Sequence, residues 1–322
     1  MSSISTETGL ALDPPSPPPP RKALRRGILI GHKTLGEWVI ESLLFLAAAS
    51  SIVITLGIVG VLVYESAAFF RHVSLWDFLT GREWTPLFAD PKYGILPLIA
   101  GTLTTTGVAL LVAIPVGTIV AIYLSEYAPH RVREIVKPVL ELLSAVPTVV
   151  YGYFAFLFVT PMLQTFMPDL PGFNMLSAGL VIGVMIIPYV SSLSEDAMHA
   201  VPMYIREGSY AMGATRMQTA FKVVLPSSLS GVTAAYILAI SRALGETMVV
   251  AIAAGTQPAF TFDPTEAAST ITAYIVQVSL GDLPRDSIGY QSIFAAGLTL
   301  MVMTLFFNIG GYVLRKRYRE AY

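Results

Sequence analysis

The sequence predicts an all-α polytopic membrane protein with six transmembrane helices and a cytoplasmic helix–turn–helix. Three observations carry that reading. Of the 322 residues, 54% are apolar and only 13% are Asp, Glu, Lys or Arg, and the mean hydropathy is +0.66. Soluble domains carry about 25% charged residues, so a water-soluble fold of this length would expose too much hydrocarbon. Six apolar runs, at 38–64, 94–124, 138–160, 175–194, 229–254 and 290–314, meet the requirement of about 20 residues to cross a bilayer. The third observation is that Lys and Arg segregate to alternate connections. Continuous runs, rather than ten-residue alternations, argue against a β-barrel.

The segment ahead of the first span, 1–37, holds Pro14, Pro15, Pro17, Pro18, Pro19 and Pro20 around one serine. Such a run favours polyproline II and packs no core, so a disordered cytoplasmic tail is expected. An SH3-type ligand is the lesser alternative. The apolar stretch comes too late and runs too long for a cleavable signal peptide. Residues 38–322 then form the membrane domain. Between the first two spans, AFFRHVSLWDFL is expected to form a short interfacial helix, with Trp76 and Trp84 at headgroup depth. The second span carries Thr102, Thr104, Thr105 and Thr106, whose hydroxyls either donate to an anion or bond back to their own helix. Glu141 is expected in the first turn of the third span, where a carboxylate suits the helix dipole, and Pro147 should kink that span. Glu195 and Asp196 end the fourth span, either supporting the loop that follows or simply solvated.

Orientation follows from the basic residues. One side collects Arg21, Lys22, Arg25, Arg26, Lys33, Arg131, Arg133, Lys137, Arg206, Arg216, Lys222, Arg315, Lys316, Arg317 and Arg319. The other holds Arg71, Arg82, Lys92 and Arg285. The positive-inside rule then makes both termini cytoplasmic.

Several classes are excluded. A net charge of −1 argues against a nucleic-acid partner. The chain has no cysteine, its four histidines form no HExxH pattern, and neither GxSxG nor GxxxxGK[ST] occurs. No metal site and no ATPase site are expected. Gly31-His32-Lys33-Thr34 lacks the glycine before the lysine and abuts a span, so it is no phosphate loop.

One connection needs its own explanation. Residues 198–228 are too polar to span and too patterned for a linker. Pro202 can start a helix, Tyr204, Ile205, Tyr210 and Met212 offer apolar surface, and Gly213 permits a turn. Met217, Phe221 and Leu225 then recur every four residues, and Pro226 is expected to end the segment. Two short helices with a glycine elbow would present an apolar knob to a groove on a soluble partner, or form an interfacial hairpin with none.

This stretch resembles the "EAA" loop of ABC-importer permeases: Glu-Ala-Ala, Gly six residues after the Glu, then Ile-x-Leu-Pro. Here the positions are Glu207-Gly208-Ser209, Gly213 and Val223-Val224-Leu225-Pro226. The spacing matches, with small-for-small and branched-for-branched replacements. YGILPLIAGTLTTTGVALLVAIPVGTIVAIYLSEYAP (93–129), ELLSAVPTVVYGYF, PYVSSLSEDAMHAVP and SRALGETMVV resemble the phosphate-specific ABC permeases. Trp84-Thr85-Pro86 before Tyr93-Gly94 looks more like the PstC-type subunit than its PstA-type partner. The resemblance covers most of 64–314 and implies the type I ABC importer permease fold in a bacterial or archaeal cytoplasmic (inner) membrane. It further implies a second, homologous permease, an ATPase dimer that uses ATP and Mg, an extracytoplasmic phosphate-binding protein and ATPase coupling through Glu207, Gly208, Ser209, Gly213, Leu225 and Pro226. No cofactor is expected on this chain itself, and membrane lipid surrounds it.

The residues say less about substrate. Arg242 is the one basic residue inside a predicted span, where insertion costs about 2.5–3.5 kcal/mol, so it should face a partner or a water-filled path. Glu246, four residues on, is expected on the same face as its counter-charge. The pair then either lines the path of an oxyanion, with Thr102, Thr105 and Glu141 as further pathway candidates, or ties helices together. Phosphate, sulfate and molybdate are not separable by this chemistry. A self-contained carrier or channel would account for Arg242 but not for the 207–226 pattern.

Overall fold

The computed structural model describes residues 35–317, so the expected proline-rich tail lies outside the described residues. The first helix, α1 (Leu35–Phe69), is apolar throughout and is long enough to span. Up to Thr55 it stands as a unit of its own, its side chains mostly exposed, and the chain from Leu56 onward forms the second unit.

Within that second unit the described regular structure is helical, joined by loops of which the longest are 81–95 and 254–270, with one isolated β-bridge between Trp84 and Tyr93. The order is α2 (Leu75–Thr80), α3 (Leu96–Ile122), α4 (His130–Ser144), α5 (Thr148–Phe154), α6 (Thr160–Gln164) and α7 (Met175–His199). There follow α8 (Met203–Ala211), α9 (Arg216–Thr219), α10 (Leu225–Ser227), α11 (Leu229–Leu244), α12 (Met248–Ala253), α13 (Ile271–Ser279) and α14 (Ile288–Arg317).

Four helices cross by length and apolarity alone, α1, α3, α7 and α14, and up to six spans result when each bent pair counts as one. The expected third span is therefore not a continuous helix. It breaks over Ala145–Pro147, and its two halves meet at 86°. A window average cannot see the break, but Pro147 with the extended conformation at ψ 133° explains it, because proline removes the N–H that would continue the ladder. Tyr151 bridges the bend by donating its hydroxyl to the Leu143 carbonyl at 2.8 Å. The expected fifth span is also interrupted, between Leu244 and Met248.

Three π-helical turns interrupt the α period, at Tyr123–Tyr127, Ala155–Val159 and Ala220–Val224. Each is followed two residues later by a proline: Pro129, Pro161 and Pro226. A proline clashes with the carbonyl four residues before it. Those carbonyls belong to Ser125, Leu157 and Lys222, the middle residue of each turn. Widening the turn to an i→i+5 bond moves the obstructing carbonyl aside.

The core has a tight seam between α3 and α7. A Cβ at Gly179 would sit 2.7 Å from Val108, and one at Gly183 would sit 2.8 Å from the Ala109 carbonyl oxygen. This small-x-x-x-small pair lets the backbones approach without a hydrophobic driving force, as bilayer helices require. A second cluster packs Phe69, Phe78, Trp84, Ile95 and Tyr274. Trp84 is 1% exposed and edge-on to Tyr274 at 5.0 Å, so it belongs to this core rather than to the headgroup layer; Trp76, 74% exposed, remains free for that layer. A third cluster, Ile122, Met198, Val201, Val224 and Val232, lies under the helical hairpin α8–α9.

Candidate functional site

The hairpin forms as the spacing predicts. Pro202 caps α8, Gly213 turns the chain at φ +82°, and Thr215 starts α9 with a capping box closed by Gln218. Ser209 and Thr219 join the two helices through their hydroxyls at 2.9 Å. Glu207, Gly208 and Gly213 are exposed, as are Met203, Tyr204, Met212, Met217 and Phe221. Leu225, half-buried, packs against the cluster beneath and anchors the hairpin rather than extending its exposed face. Pro226 does not end the segment: it sits in the first turn of α10, and the bend of 73° falls at Ser228.

Arg206 fastens the hairpin to the membrane helices. Its Nη2 donates to Glu126 at 2.9 Å and to the Met198 carbonyl at 2.8 Å, and its Nη1 donates to the Val201 carbonyl. The two side chains are 9% and 4% exposed. The guanidinium thus satisfies a carboxylate in the π-helical turn after α3 and two carbonyls at and just beyond the end of α7. Glu195, 0% exposed, pairs with both Arg133 and Lys137 of α4, and Lys137 also bonds Asp196. Neither expectation describes Glu195, which is neither solvated nor turned to the loop that follows but braces α4 against α7; Asp196, 57% exposed, is the more solvated of the two and shares Lys137.

The intramembrane candidates separate. Arg242 lies in the last turn of α11, about 20 Å from the start of that helix. Its guanidinium stacks on the Tyr189 ring at 4.3 Å, and its buried Nε has no hydrogen-bond partner. The expected pairing with Glu246 does not form among the described residues. Helix α11 ends at Leu244, Gly245 caps it, and the one-turn relation between positions 242 and 246 is lost. Glu246 is instead 6% exposed and turned onto α12, where Oε1 accepts the Met248 and Val249 N–H groups at 3.2 and 3.3 Å. An N-terminal carboxylate there offsets the helix dipole.

Thr102 is occupied structurally. It donates to the Leu98 carbonyl at 2.7 Å and accepts the Ile271 N–H at 3.0 Å. Through α13 it approaches Glu246, whose carbonyl accepts the Thr272 hydroxyl at 2.7 Å. Thr105 is 1% exposed and its hydroxyl has no partner. Glu141 is exposed and lies near the C-terminal end of α4, not in the first turn of a span, because the helical break comes after it. The aromatic face beneath Arg242 was missed in the sequence; Tyr189 stands directly after Pro188 in a quoted motif, but nothing in its spacing links it to position 242.

On the far side, Lys92 pairs with Glu83 at 2.5 Å across the Trp84–Tyr93 bridge, and that hydrogen bond raises the lysine above its ordinary value.

These features define a polytopic helical membrane protein that carries an intramembrane arginine and a braced, apolar-faced helical hairpin. The chain belongs to the family of binding-protein-dependent transport system inner membrane components, which matches residues 113–320, and it is an ABC importer permease. It is 36% identical over 266 residues to the probable ABC transporter permease protein YqgH of Bacillus subtilis, covering 83% of this chain and 84% of that one. The phosphate transport system permease protein PstC of Mesorhizobium japonicum is 31% identical, covering 84% and 88%. The resemblance to PstC-type permeases is borne out by these relatives. A bacterial ABC transporter involved in the import of the acidic polysaccharide alginate shares the fold, with a TM-score of 0.63 at 18% identity over 88% of this chain and 97% of that one.

Proposed function

We propose that this chain is the PstC-type half of an ATP-driven phosphate importer. The observation that carries the reading is Arg242: a guanidinium with a buried, unpartnered Nε, held on an aromatic face, while Glu246 is turned away onto α12. A guanidinium presents a fork of donors suited to phosphate oxygens, and stacking on Tyr189 leaves that fork available. The names of the PstC relatives support phosphate over sulfate or molybdate.

The partners follow from the same reading. A second permease of PstA type shares the pathway, two ATPase subunits hold the ATP and Mg, and an extracytoplasmic phosphate-binding protein delivers the ion. This chain supplies no ATPase site and binds no cofactor. Both termini face the cytoplasm, so the α8–α9 hairpin meets the ATPase, and its exposed Met203, Tyr204, Met212 and Met217 fill a groove there. ATP binding closes the ATPases, moves the hairpins and opens the permease pair outward; hydrolysis resets it. Phosphate passes Arg242, with Thr105 as a second donor and Glu246 holding the α11–α12 break in place.

The test is phosphate uptake by the reconstituted complex carrying Arg242→Gln. Uptake should be abolished while the complex still co-purifies with its ATPase. Normal uptake would sink the pathway role, and transport by this chain without an ATPase would sink the importer reading in favour of a carrier.

A further inference from the structure

A groove runs along the outside of the α11–α14 pair and is assigned no part in the reading above. Its inner stretch is a cavity of about 310 Å³ between α3, α11 and α14, walled by Ile114, Tyr236, Ile240 and Phe306 and floored at Gly310. It continues into a second cavity of about 350 Å³, lined by Ser230, Gly231, Ala234 and Arg315. The two adjoin on the same helix faces: Ser230 of the second cavity stands one turn from Thr233 of the first on α11, and Arg315 of the second one turn from Gly311 of the first on α14. The groove is thus apolar along most of its length and basic at one end. No acidic residue lines it among the described residues.

Length and charge say what fits. From Ser230 to Ile240 the groove follows ten residues of helix, about 15 Å. That is half of a hydrocarbon core about 30 Å thick, the depth of one leaflet. At its basic end the Arg315 guanidinium stands 5.8 Å from the ring of exposed Tyr312, pairing an arginine with an aromatic of the kind enriched at membrane–water interfaces. Gly310 keeps the floor open: a Cβ added there would meet nothing within 4 Å, whereas one at Gly311 would strike Ile237 at 2.2 Å. One glycine holds the helices together and its neighbour leaves a trough.

We infer that this groove is a binding site for one anionic phospholipid, with an acyl chain along Tyr236 and Gly310 and its phosphate at Arg315. Basic pockets between membrane helices take such headgroups. The site rests on family membership in the membrane, and its lipid stands in the leaflet where α14 ends. Binding measured in detergent does not depend on which leaflet that is, so a failure of the proposed orientation leaves this site standing.

The experiment is native mass spectrometry of the purified full chain, titrated with dioleoyl phosphatidylglycerol or dioleoyl phosphatidylcholine. Phosphatidylglycerol should be retained preferentially. Arg315→Gln should weaken its retention about fivefold, and Arg315→Lys should restore most of it. Gly310→Phe, which fills the trough, should weaken both lipids. Equal retention of the two lipids by the unaltered chain, or unchanged phosphatidylglycerol retention in Arg315→Gln, overturns the proposal. So does a Gly310→Phe chain that keeps its lipid but loses co-purification with a second permease, since the groove would then belong to that subunit. Arg315 is exposed at the end of α14, so its substitution reads the headgroup contact even where Gly310→Phe does not fold.

Discussion

Lys137 Nζ lies 3.0 Å from Glu195 Oε2, and through that contact α4 is held against the end of α7. Glu195 has no exposed side-chain surface, while Lys137 and Arg133 are 26% and 24% exposed. The carboxylate is therefore the group that cannot be left alone. Arg133→Gln and Lys137→Gln should each cost little, because one cation remains. The double substitution should cost about 3–5 kcal/mol, more than the two singles together. Thermal unfolding of the detergent-solubilised chain measures this; additive singles would show that the carboxylate does not depend on the pair.

Tyr189 is expected to matter through its ring. Tyr189→Phe keeps the face under Arg242 and should leave phosphate uptake near normal. Tyr189→Ala removes a contact worth about 0.5–2 kcal/mol and should reduce uptake several-fold. Initial uptake rates distinguish them. Equal loss in both variants would make the hydroxyl, not the ring, the working part.

Glu246 is a cap at the break between α11 and α12. Glu246→Ala leaves the Met248 and Val249 N–H groups without their acceptor and should cost about 1–3 kcal/mol. Glu246→Gln keeps an acceptor oxygen and should cost less than half of that. Unfolding midpoints of the two variants against the unaltered chain test the order.

Gly208 and Gly213 form a controlled pair in the hairpin. Neither would bring a Cβ within 4 Å of another group, but only Gly213 has positive φ. Gly208→Ala, inside α8, should be neutral or stabilising by up to about 1 kcal/mol. Gly213→Ala should destabilise by about 1 kcal/mol through backbone strain alone. A bulky residue at 213 should in addition uncouple ATP hydrolysis from uptake. Unchanged coupling in Gly213→Val, read as phosphate moved per ATP hydrolysed, would remove the hairpin from the mechanism.

The hairpin was legible because its signals are local: Pro202, Gly213 and the Thr215–Gln218 box each dictate their own turn. Arg242 was legible as a charge in the wrong solvent. Its neighbours were not. A residue count places Glu246 one turn from Arg242 only if the helix continues, and Gly245 ends it. Trp84 reads as an interfacial aromatic until Phe78 and Tyr274, nearly 200 residues apart, close over it. The Arg206–Glu126 bond spans 80 residues and leaves no trace in spacing.

The proline that follows each π turn has a consequence for phase. An extra residue in one turn rotates everything beyond it by about 100° relative to an unbroken α-helix. Pro226 therefore sets which way the exposed Met217 points relative to α11 behind it, as a key's cut is set by where the blank is turned. Pro226→Ala would restore an N–H and remove the clash, letting Ala220–Val224 wind back to the narrower period. No side chain on the hairpin's exposed apolar face would have changed, yet that face would be presented at a different angle. The imino acid at 226 would then act on the hairpin's exposed face as a clock setting, not as a contact.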